Sequence, residues 1–415
     1  MVNNKYLLPK GVKSYLLPQG EEIRFFEQQA RRVFHYYGYQ EVVLPHIDSL
    51  SLFRRNIGEG TDIVERQIMK IEGKDNICLR PEATAQIARS YIEEGLYKSY
   101  PIFKAFYIGA MFRGEKPQRG RLREFRHVGA EFIGSDSPYA DAEMIKLAEE
   151  IISLFAPSNF KLEINSLGCE NDKVKLASML KDKLRPYLSK LCPNCQRRYK
   201  SNPLRILDCK NSSCRGVVQA LNIADSYLCS DCRQHFRSVL SILDEWKVKY
   251  HITHTLVRGL DYYTRTVFEF TSPLLGAQSA LAAGGRYDNL ISNLAGPAYP
   301  AVGFALGLER AMLLRNQPIP VFRLKAFIVC VNESLKLEAL RVAGILRKAG
   351  LSCDIDFRSR SLKAQLKYSQ KFHAEFVVII GEDELKRGEV VLRHMPTSQQ
   401  KNVKLEDIVT EIRDD

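Results

Sequence analysis

The segment from Arg113 to Arg126 concentrates cationic side chains that could bind phosphate. It contains six basic residues, interrupted by Glu115 and Glu124. A guanidinium group can form two parallel hydrogen bonds to phosphate oxygens, so this set suits a triphosphate or a nucleic-acid backbone. Short apolar segments on either side, Tyr100 to Phe112 and Phe125 to Ile133, predict a hairpin with this stretch as its charged loop. A solvated surface loop has the same composition, so other segments must decide.

A second group with chemical potential is a cluster of cysteines. The chain has ten cysteines, and because its N-terminal residues do not resemble a secretory signal, a disulfide framework is not expected. Two C-x2-C knuckles, Cys192 with Cys195 and Cys229 with Cys232, are typical of a tetrahedral zinc site with four thiolates. The sequence therefore predicts either a structural zinc ion held by these four cysteines or reduced thiols packed among helices.

The elements that must position these residues fall into a core interrupted by an insertion. Residues 1–164 begin with an amphipathic helix and a strand-like run that ends at Pro45, and continue into the hairpin. Residues 165–250 are rich in lysine and arginine, predicted to be helical, and carry the cysteine cluster. Strand signals return in residues 251–318, in HITHTLVRG and TVFEFTSP. They lead to an apolar helix predicted after Gly303. One domain is thus split by another.

Beyond a Pro-containing linker from Asn316 to Arg323, residues 324–415 have a different pattern. Strands and helices alternate, as they do in a small α/β unit with a mostly parallel sheet. On the helix that begins at Leu362, three lysines recur every four residues and would form one basic stripe, with two arginines just before it. The basic residues are Lys363, Lys367, Lys371, Arg358 and Arg360. A solvated face is the alternative interpretation of this stripe.

Length and composition bound the class of protein. A chain of 415 residues exceeds the size of one ordinary core, about 250 to 300 residues, and indicates two or three domains. The net charge of +13 favours a polyanionic partner, although a basic enzyme without one would look the same. No stretch reaches the roughly 18 uninterrupted apolar residues of a membrane helix. We therefore expect a cytoplasmic protein without a membrane partner.

Five segments resemble those of one enzyme family. FRGEKPQRGRLREF (112–125) and AVGFALGLERAMLL (301–314) resemble motifs 2 and 3 of the class II aminoacyl-tRNA synthetases. VRGLDYYTRTVFEF (257–270) and AAGGRYDNLI (282–291) resemble the two signatures of the histidine-specific member, and EVVLPHID (41–48) resembles motif 1. The resemblance to histidyl-tRNA synthetases spans essentially the whole chain, in family order.

The resemblance implies a fold, a reaction and partners. The fold is α+β: an antiparallel sheet flanked by helices as catalytic core, a helical insertion, and a C-terminal α/β anticodon-binding domain. The reaction activates L-histidine with ATP to histidyl-adenylate, and transfers the histidyl group to the 3′-terminal adenosine of tRNA-His. Mg²⁺ is expected to accompany ATP. Motif 1 implies a homodimer, and the anticodon-binding domain makes phosphate contacts to tRNA the favoured role of the basic stripe.

Carried over position by position, the resemblance assigns residues to ATP. Arg113 falls at the α-phosphate and Arg310 at the γ-phosphate, while Glu115 and Arg121 complete the ATP-binding set. Arg258 would supply a second positive charge at the α-phosphate, where sibling enzymes rely on magnesium. Because charge builds on the phosphate oxygens during attack, Arg258 and Arg113 are the expected catalytic residues. Each arginine could instead form a structural salt bridge.

The resemblance also implies an amino acid pocket. Glu82 and Thr84 are expected to hold the substrate ammonium, and Glu131 with Tyr262 and Tyr263 to bind the imidazole. For the two tyrosines, core side chains bonded to backbone are the alternative. The glycine pair at 284 and 285 resembles the pair that lets the backbone approach the ligand. The predicted histidine-binding residues are Glu82, Ala83, Thr84, Arg113, His127, Glu131, Arg258, Tyr262, Tyr263 and Tyr287.

Two of these positions depart from the family pattern. Ala83 stands where the family usually has glycine, which is a small steric change. His127 stands where the family usually has glutamine, so an ionisable ring replaces a neutral amide at the substrate.

Two other function classes compete with the enzyme. A regulatory paralogue that binds histidine and controls histidine biosynthesis would have eroded ATP elements and no C-terminal domain, whereas this chain has Arg113, Arg258, Arg310 and a complete α/β unit. An RNA-binding or stress-sensing protein built on the same fold usually carries a kinase domain, and nothing here resembles one.

Overall fold

The computed structural model describes residues 6–57, 67–73, 76–156, 158, 160–276, 279–315, 319, 323–358 and 360–413. The chain forms two compact units, Met1–Pro318 and Ile319–Asp415. Most of the predicted linker lies outside the described residues. Among the described helices, none is long and apolar enough to cross a membrane.

The first unit is built on an eight-stranded sheet. Its inner pairs are antiparallel, and the pair at each edge is parallel. In hydrogen-bonding order the strands are β1 (Gln40–Glu41), β4 (Phe103–Phe112), β5 (Glu124–Ile133), β10 (Ala301–Gly307), β9 (Ala280–Arg286), β8 (Thr264–Thr271), β6 (Lys161–Ser166) and β7 (Tyr250–Ile252). A two-stranded sheet pairs β2 (Ile47–Ser49) with β3 (Ile77–Leu79).

Helices cover one face of this sheet and extend from its edges. The α-helices of the first unit are α1 (Gln19–Tyr36), α2 (Leu50–Ile57), α3 (Thr84–Glu93), α4 (Pro138–Ser153), α5 (Glu170–Leu184), α6 (Pro193–Ser201), α7 (Ser212–Ala220), α8 (Ser230–Glu245), α9 (Leu290–Asn293) and α10 (Leu308–Met312). Helix α1 packs on the sheet through Phe34, whose ring stacks on Phe106 with centroids 4.4 Å apart. Helix α4 lies against β9 and β10. Helix α3 packs on part of the opposite face through Ile87 and Tyr91, and the rest of that face lines a cleft.

The hairpin of β4 and β5 confirms the predicted pair of strands. Ten residues pair in register, from Phe103 opposite Ile133 to Phe112 opposite Glu124. Side chains alternate between the faces of a strand, so residues two apart share a face. His127, Gly129 and Glu131 therefore lie on one face, and the intervening apolar residues pack on α1 and α4.

The predicted apolar helix after Gly303 is wrong for its first half. Residues 301–307 form β10, which pairs with β5 on one side and β9 on the other, and the helix begins only at Leu308. A short apolar run can be a buried strand or a helix, and here two neighbouring strands satisfy its backbone groups. The strands predicted in YQEVVLP and HITHTLVRG also shrink to two and three residues.

The insertion is helical from Glu170 to Glu245 and has its own apolar core. Strands β6 and β7 belong to the eight-stranded sheet, so the helical segment is shorter at both ends than residues 165–250. Leucines of α5 at positions 176, 180 and 184 are fully buried in this core, together with Cys195 and Cys214.

The second unit is an α/β sheet of five strands. Their order is β12 (Cys353–Ile355), β11 (Ala326–Cys330), β13 (Phe376–Ile380), β14 (Glu389–His394) and β15 (Gln400–Lys404). The helices are α11 (Lys336–Lys348), α12 (Leu362–Ser369), α13 (Glu382–Lys386) and α14 (Ile408–Arg413). The first three strands pair in parallel and the last two antiparallel, so the expected mostly parallel sheet is half parallel.

Candidate active site

A cleft of about 940 Å³ opens on the face of the large sheet opposite α1 and α4. Its floor is made of small residues on neighbouring strands, and its walls carry arginines, carboxylates and tyrosines. The floor residues are Ala283, Gly303, Ala305 and Gly307. All ten predicted histidine-binding residues except Ala83 line this cleft, and so do Glu115, Arg121 and Arg310. Ala83 is buried beside it, between Glu82 and Thr84.

Glu131 lies at the centre of the polar side chains on the floor of the cleft. Only 1% of it is exposed. Thr84 Oγ1 donates a hydrogen bond to Oε1 at 2.6 Å, and the Tyr287 hydroxyl donates to Oε2. Burial raises the pKa of Glu131 to about 8, although both hydrogen bonds favour the charged form. A side chain at Gly303 would place its Cβ 1.7 Å from Oε2, so only glycine fits opposite this carboxyl.

Glu82 caps a helix rather than pointing freely into the cleft. Its carboxylate accepts the backbone N–H groups of Thr84 at 2.7 Å and Ala85 at 3.1 Å, at the first turn of α3. Burial raises the pKa of this carboxyl, and the two backbone donors oppose the rise. These donors hold Glu82 in place while it lines the cleft.

Four buried tyrosines surround Glu131. The rings of Tyr262 and Tyr263 lie 4.6 Å apart, and Tyr262 meets Tyr287 edge-on at 5.7 Å. Tyr107, which the sequence did not suggest, is the fourth. Burial raises the pKa of Tyr263 to about 12, with Arg258 opposing the rise. These phenols are therefore neutral near pH 7 and can donate hydrogen bonds.

Two arginines in the cleft are held by carbonyl groups. Arg310 donates from Nε to Gly120 O at 3.0 Å and from Nη1 to Ala280 O at 2.7 Å. Arg113 donates from Nε to Pro81 O at 3.0 Å, and its guanidinium lies 5.1 Å from the ring centre of Phe125. Carbonyl oxygens orient a guanidinium without neutralising it, so both charges remain available to an anion.

The other two predicted arginines are paired with carboxylates. Arg258 Nη1 lies 2.8 Å from Glu269 Oε2, with side-chain exposures of 17% and 19%. Arg121 is paired with Glu115. Arg258 and Arg121 thus each form a salt bridge while lining the cleft. Arg258 keeps a buried Nε without a hydrogen-bond partner among the described residues.

His127 is a neutral ring in this environment. Burial lowers its pKa well below the ordinary value, and the positive charges of Arg113, Arg80 and Arg310 act in the same direction. Its ring stands edge-on to Phe125 with centroids 5.0 Å apart, and its Nδ1 has no hydrogen-bond partner among the described residues. It therefore offers an uncharged polar group, as a glutamine would.

The two zinc knuckles do not share one site, which corrects the predicted ligand set. Each knuckle joins different partners: one cluster is Cys192, Cys195, Cys209 and Cys214, and the other is Cys169, Asp172, Cys229 and Cys232. Sequence spacing could not reveal this, because the helices between the knuckles bring Cys209 and Cys214 back to the first and leave Cys169 beside the second.

The glycine pair at 284 and 285 serves strand packing. A Cβ at Gly284 would lie 2.2 Å from Gly303 O, and one at Gly285 would lie 2.6 Å from Thr266 O. Close contacts within the sheet therefore require glycine at both positions.

A buried ion network behind the cleft was also missed. Arg286 is fully buried and donates from Nε to Asp141 on α4 at 2.9 Å. His235 Nε2 lies 2.7 Å from the other oxygen of Asp141. The network joins β9, α4 and α8, and only the position of Arg286 beside Tyr287 hinted at it.

In the second unit, the predicted basic stripe is exposed. Lys363, Lys367 and Lys371 all reach solvent. The guanidinium groups of Arg358 and Arg360 lie 4.7 and 4.1 Å from the ring centre of Tyr368.

Comparisons with known proteins agree with this architecture. Residues 11–311 match the family model described as histidyl-tRNA synthetase, and residues 325–415 match that of an anticodon binding domain. The chain is 42% identical to the histidine–tRNA ligase of Desulforamulus reducens, covering 98% of both chains. It is 43% identical to that of Geobacter sulfurreducens, covering 95% of this chain and 96% of the relative.

A solved structure extends the comparison. The apo histidyl-tRNA synthetase of S. aureus superposes with a TM-score of 0.81 at 29% identity, covering 98% of this chain and all of that one. With a family model that spans most of the chain and relatives above 40% identity over nearly its whole length, the chain belongs to the histidyl-tRNA synthetase family.

Proposed function

We propose that this chain is a histidine–tRNA ligase. It activates L-histidine with ATP and transfers the histidyl group to the 3′-terminal adenosine of tRNA-His. One observation carries the proposal: a single cleft contains both the buried Glu131 carboxyl, which suits an imidazole, and two arginines, which suit a triphosphate. These arginines, Arg113 and Arg310, are held by carbonyl groups and form no salt bridge with a carboxylate of the described residues.

Glu131 and the buried tyrosines around it support recognition of histidine. An imidazole presents one N–H donor and one acceptor nitrogen when neutral. The Glu131 carboxylate accepts from the N–H, and a tyrosine hydroxyl of the pair Tyr262 and Tyr263 donates to the other nitrogen. A side chain that left either group unpaired would lose about 1 to 3 kcal/mol, which gives selectivity against residues of similar size.

The arginines support adenylation. A carboxylate oxygen of histidine attacks the α-phosphorus, the bond to the bridging oxygen breaks, and pyrophosphate leaves. Arg113 and Arg258 stabilise the charge that builds on the α-phosphate oxygens, and Arg310 holds the γ-phosphate. The ion pair of Arg258 with Glu269 fixes the direction of that guanidinium. Within the described residues we assign no general base, so positioning and charge carry this step.

Mg²⁺ would fit the same cleft. Glu115 and Glu269 both line it and offer carboxylate oxygens, the ligands that Mg²⁺ prefers, and each is paired with an arginine. When bound with ATP, Mg²⁺ supplies charge neutralisation at the phosphate oxygens.

The second step uses both units. A hydroxyl of the terminal adenosine attacks the acyl carbon, and AMP leaves. The exposed lysines of the second unit, at 363, 367 and 371, would position the tRNA through its phosphates.

We also propose a homodimer formed around the segment that resembles motif 1. In this segment Val43 is 93% exposed and Ile47 is 49% exposed. Apolar side chains that project from an ordered segment favour a protein partner, and a second copy of the chain is the partner that motif 1 implies.

The test is pyrophosphate exchange into ATP with each of the twenty amino acids. We expect exchange with histidine alone, and a loss of about 100-fold or more in Arg258→Ala, the size seen when one preorganised donor to a transition state is removed. Arg237→Ala, an exposed arginine on α8, is the matched control and should retain full activity. Histidine binding without exchange in the wild type would favour the regulatory paralogue instead.

A further inference from the structure

The first cysteine cluster has the geometry of a closed metal site. The four Sγ atoms of Cys192, Cys195, Cys209 and Cys214 lie within 4.8 Å of one another. Tetrahedral zinc with Zn–S bonds of about 2.3 Å requires sulfur atoms roughly 3.8 Å apart. The Sγ atoms of Cys192 and Cys209 lie 3.9 Å apart, which is that spacing and far longer than a disulfide.

The backbone around this cluster places N–H donors near the sulfur atoms. The backbone N–H of Cys192 donates to the sulfur of Cys214 at 3.2 Å. Cys192 precedes the first residue of α6, and Cys214 lies in the first turn of α7, where helix N-termini favour negative charge. A set of four thiolates without oxygen ligands selects zinc over magnesium or calcium.

We propose that Cys192, Cys195, Cys209 and Cys214 hold a structural zinc ion. The four ligands complete a tetrahedron, so no position stays open for substrate and the metal takes no part in the chemistry. Cys195 and Cys214 are fully buried, and the ion would anchor the otherwise irregular chain between α6 and α7.

The zinc-bound segment also supports the wall of the cleft. Arg205 Nη2 lies 2.8 Å from Asp261 Oδ1, and Asn202 donates to the same oxygen at 3.2 Å. Asp261 directly precedes Tyr262 and Tyr263, the proposed imidazole partners. The zinc ion is therefore a positioning element for the histidine pocket, an extension that rests on the proposed function.

Zinc content tests the site independently of activity. We would measure zinc per chain in the full-length wild type, in Cys209→Ser, and in the control Cys330→Ala, whose cysteine lies in the second unit. We expect Cys209→Ser to lose one equivalent of zinc and Cys330→Ala to lose none. Equal zinc in wild type and Cys209→Ser would overturn the proposal.

Kinetics then separate positioning from chemistry. Loss of two hydrogen bonds to Asp261 should raise the KM for histidine roughly tenfold in Cys209→Ser while kcat for exchange changes little. An unchanged KM in a variant that has lost its zinc would overturn the positioning role and leave the metal site standing. If Cys209→Ser does not fold, cobalt replacement in Cys229→Ser/Cys232→Ser decides, because this variant keeps the first cluster and removes two sulfurs of the other cysteine cluster. Thiolate-to-cobalt absorption with tetrahedral bands supports the site, and its absence overturns it.

A different observation carries a second zinc site at the other cluster. Asp172 is fully buried, and its Oδ2 has no hydrogen-bond partner among the described residues. A carboxylate oxygen of Asp172 and the Sγ atoms of Cys169, Cys229 and Cys232 lie within 4.8 Å of one another. A buried carboxylate without a full set of donors is costly, and a cation supplies the missing partner. We propose a three-sulfur, one-oxygen zinc site here.

The second site has its own test. Asp172→Ala should lose one equivalent of zinc and retain the one bound by the first cluster. X-ray absorption at the zinc edge of the wild type, which needs no variant to fold, should detect sulfur with a minor oxygen component. Full zinc content in Asp172→Ala, or a shell of sulfur alone, would overturn this second site.

Discussion

Glu131 combines two properties that oppose each other. The proposed function needs its negative charge for the imidazole, yet burial raises its pKa to about 8. Because the folded protein binds this proton more tightly than the unfolded chain does, stability is fully present at low pH. It declines as pH rises from the ordinary carboxyl value toward about 8. Substrate binding would restore part of the lost stability, because the imidazole would donate a hydrogen bond to the charged carboxylate.

Glu131→Gln should therefore separate stability from function. The amide removes the buried charge, so the melting temperature of the variant should match the wild type near pH 4 and exceed it by an increasing margin toward pH 9. The KM for histidine should rise by about 10- to 100-fold, since a hydrogen bond to a charged group contributes about 1.5 to 3 kcal/mol. Parallel melting curves across this pH range would contradict the assignment of the buried charge.

His127→Gln tests whether the ring acts as a neutral group. Burial and the neighbouring arginines lower its pKa, which favours the uncharged ring near neutral pH. We expect kcat/KM for exchange to follow the same pH profile in the variant and the wild type, with values within about threefold, because one uncharged polar group replaces another. A wild-type inflection near pH 6.5 that disappears in the variant would show that the imidazole titrates.

At this scale, resemblance identified the side chains but not their partners. The types and order of Arg113, Arg258 and Arg310 could be predicted from the motifs. That Arg310 is held by carbonyls while Arg258 is held by Glu269 could not, because these partners meet through strand pairing and a loop fold that spacing does not encode.

At the scale of elements, the floor of the cleft depends on glycine residues, which have no side chain. Across β5 and β10, Gly303 pairs with Glu131 and Gly129 pairs with Ala305. A Cβ at Gly129 would lie 2.5 Å from the Tyr107 ring. The strands are close-packed beneath a polar ligand space, and this explains why the run from Ala301 to Gly307 is a strand although its sequence also suits a helix.

Gly303→Ala should disable the site through overlap with Glu131. The new methyl group would force the carboxyl to move, so we expect a destabilisation of about 1 to 3 kcal/mol and loss of histidine-dependent exchange. Gly216→Ala in α7 is the control, because its Cβ would meet nothing within 4 Å and should stabilise the helix by up to about 1 kcal/mol. Chemical denaturation and the exchange assay measure both, and a fully active Gly303→Ala would refute the close approach.

The boundaries of elements were predictable where periodicity was strong. The amphipathic pattern from Glu21 to Gly38 predicted a helix with bounds within two residues of those of α1. The predicted strands of the β4–β5 hairpin lie within three residues of the observed ones. The short edge strands were not, because Gln40–Glu41 and Tyr250–Ile252 owe their pairing to neighbours distant in sequence. The residues that join each C-x2-C knuckle in its cluster were not predicted for the same reason, because the chain between them folds back.

For the whole molecule, the cleft lies entirely within the first unit. All its lining residues fall between Gln67 and Arg310. A protein truncated to residues 1–318 should therefore keep pyrophosphate exchange within about threefold of the full chain, since no described cleft residue is removed. Charging of tRNA-His should fall much further, because the basic stripe is absent. Equal loss of both activities would indicate that the second unit contributes to activation itself.

The Asp141 network has a consequence for how the insertion relates to its host. One buried carboxylate accepts hydrogen bonds from Arg286 of the catalytic sheet and from His235 of the insertion helix α8. Removal of the insertion would remove His235 and leave the fully buried carboxylate of Asp141 with one hydrogen-bond donor fewer. The insertion is thus not an independent module. Amide protons of α8 and β9 should exchange with solvent in a single cooperative opening. The insertion can be replaced by that of a relative only if both ionic partners of His235 are transferred with it.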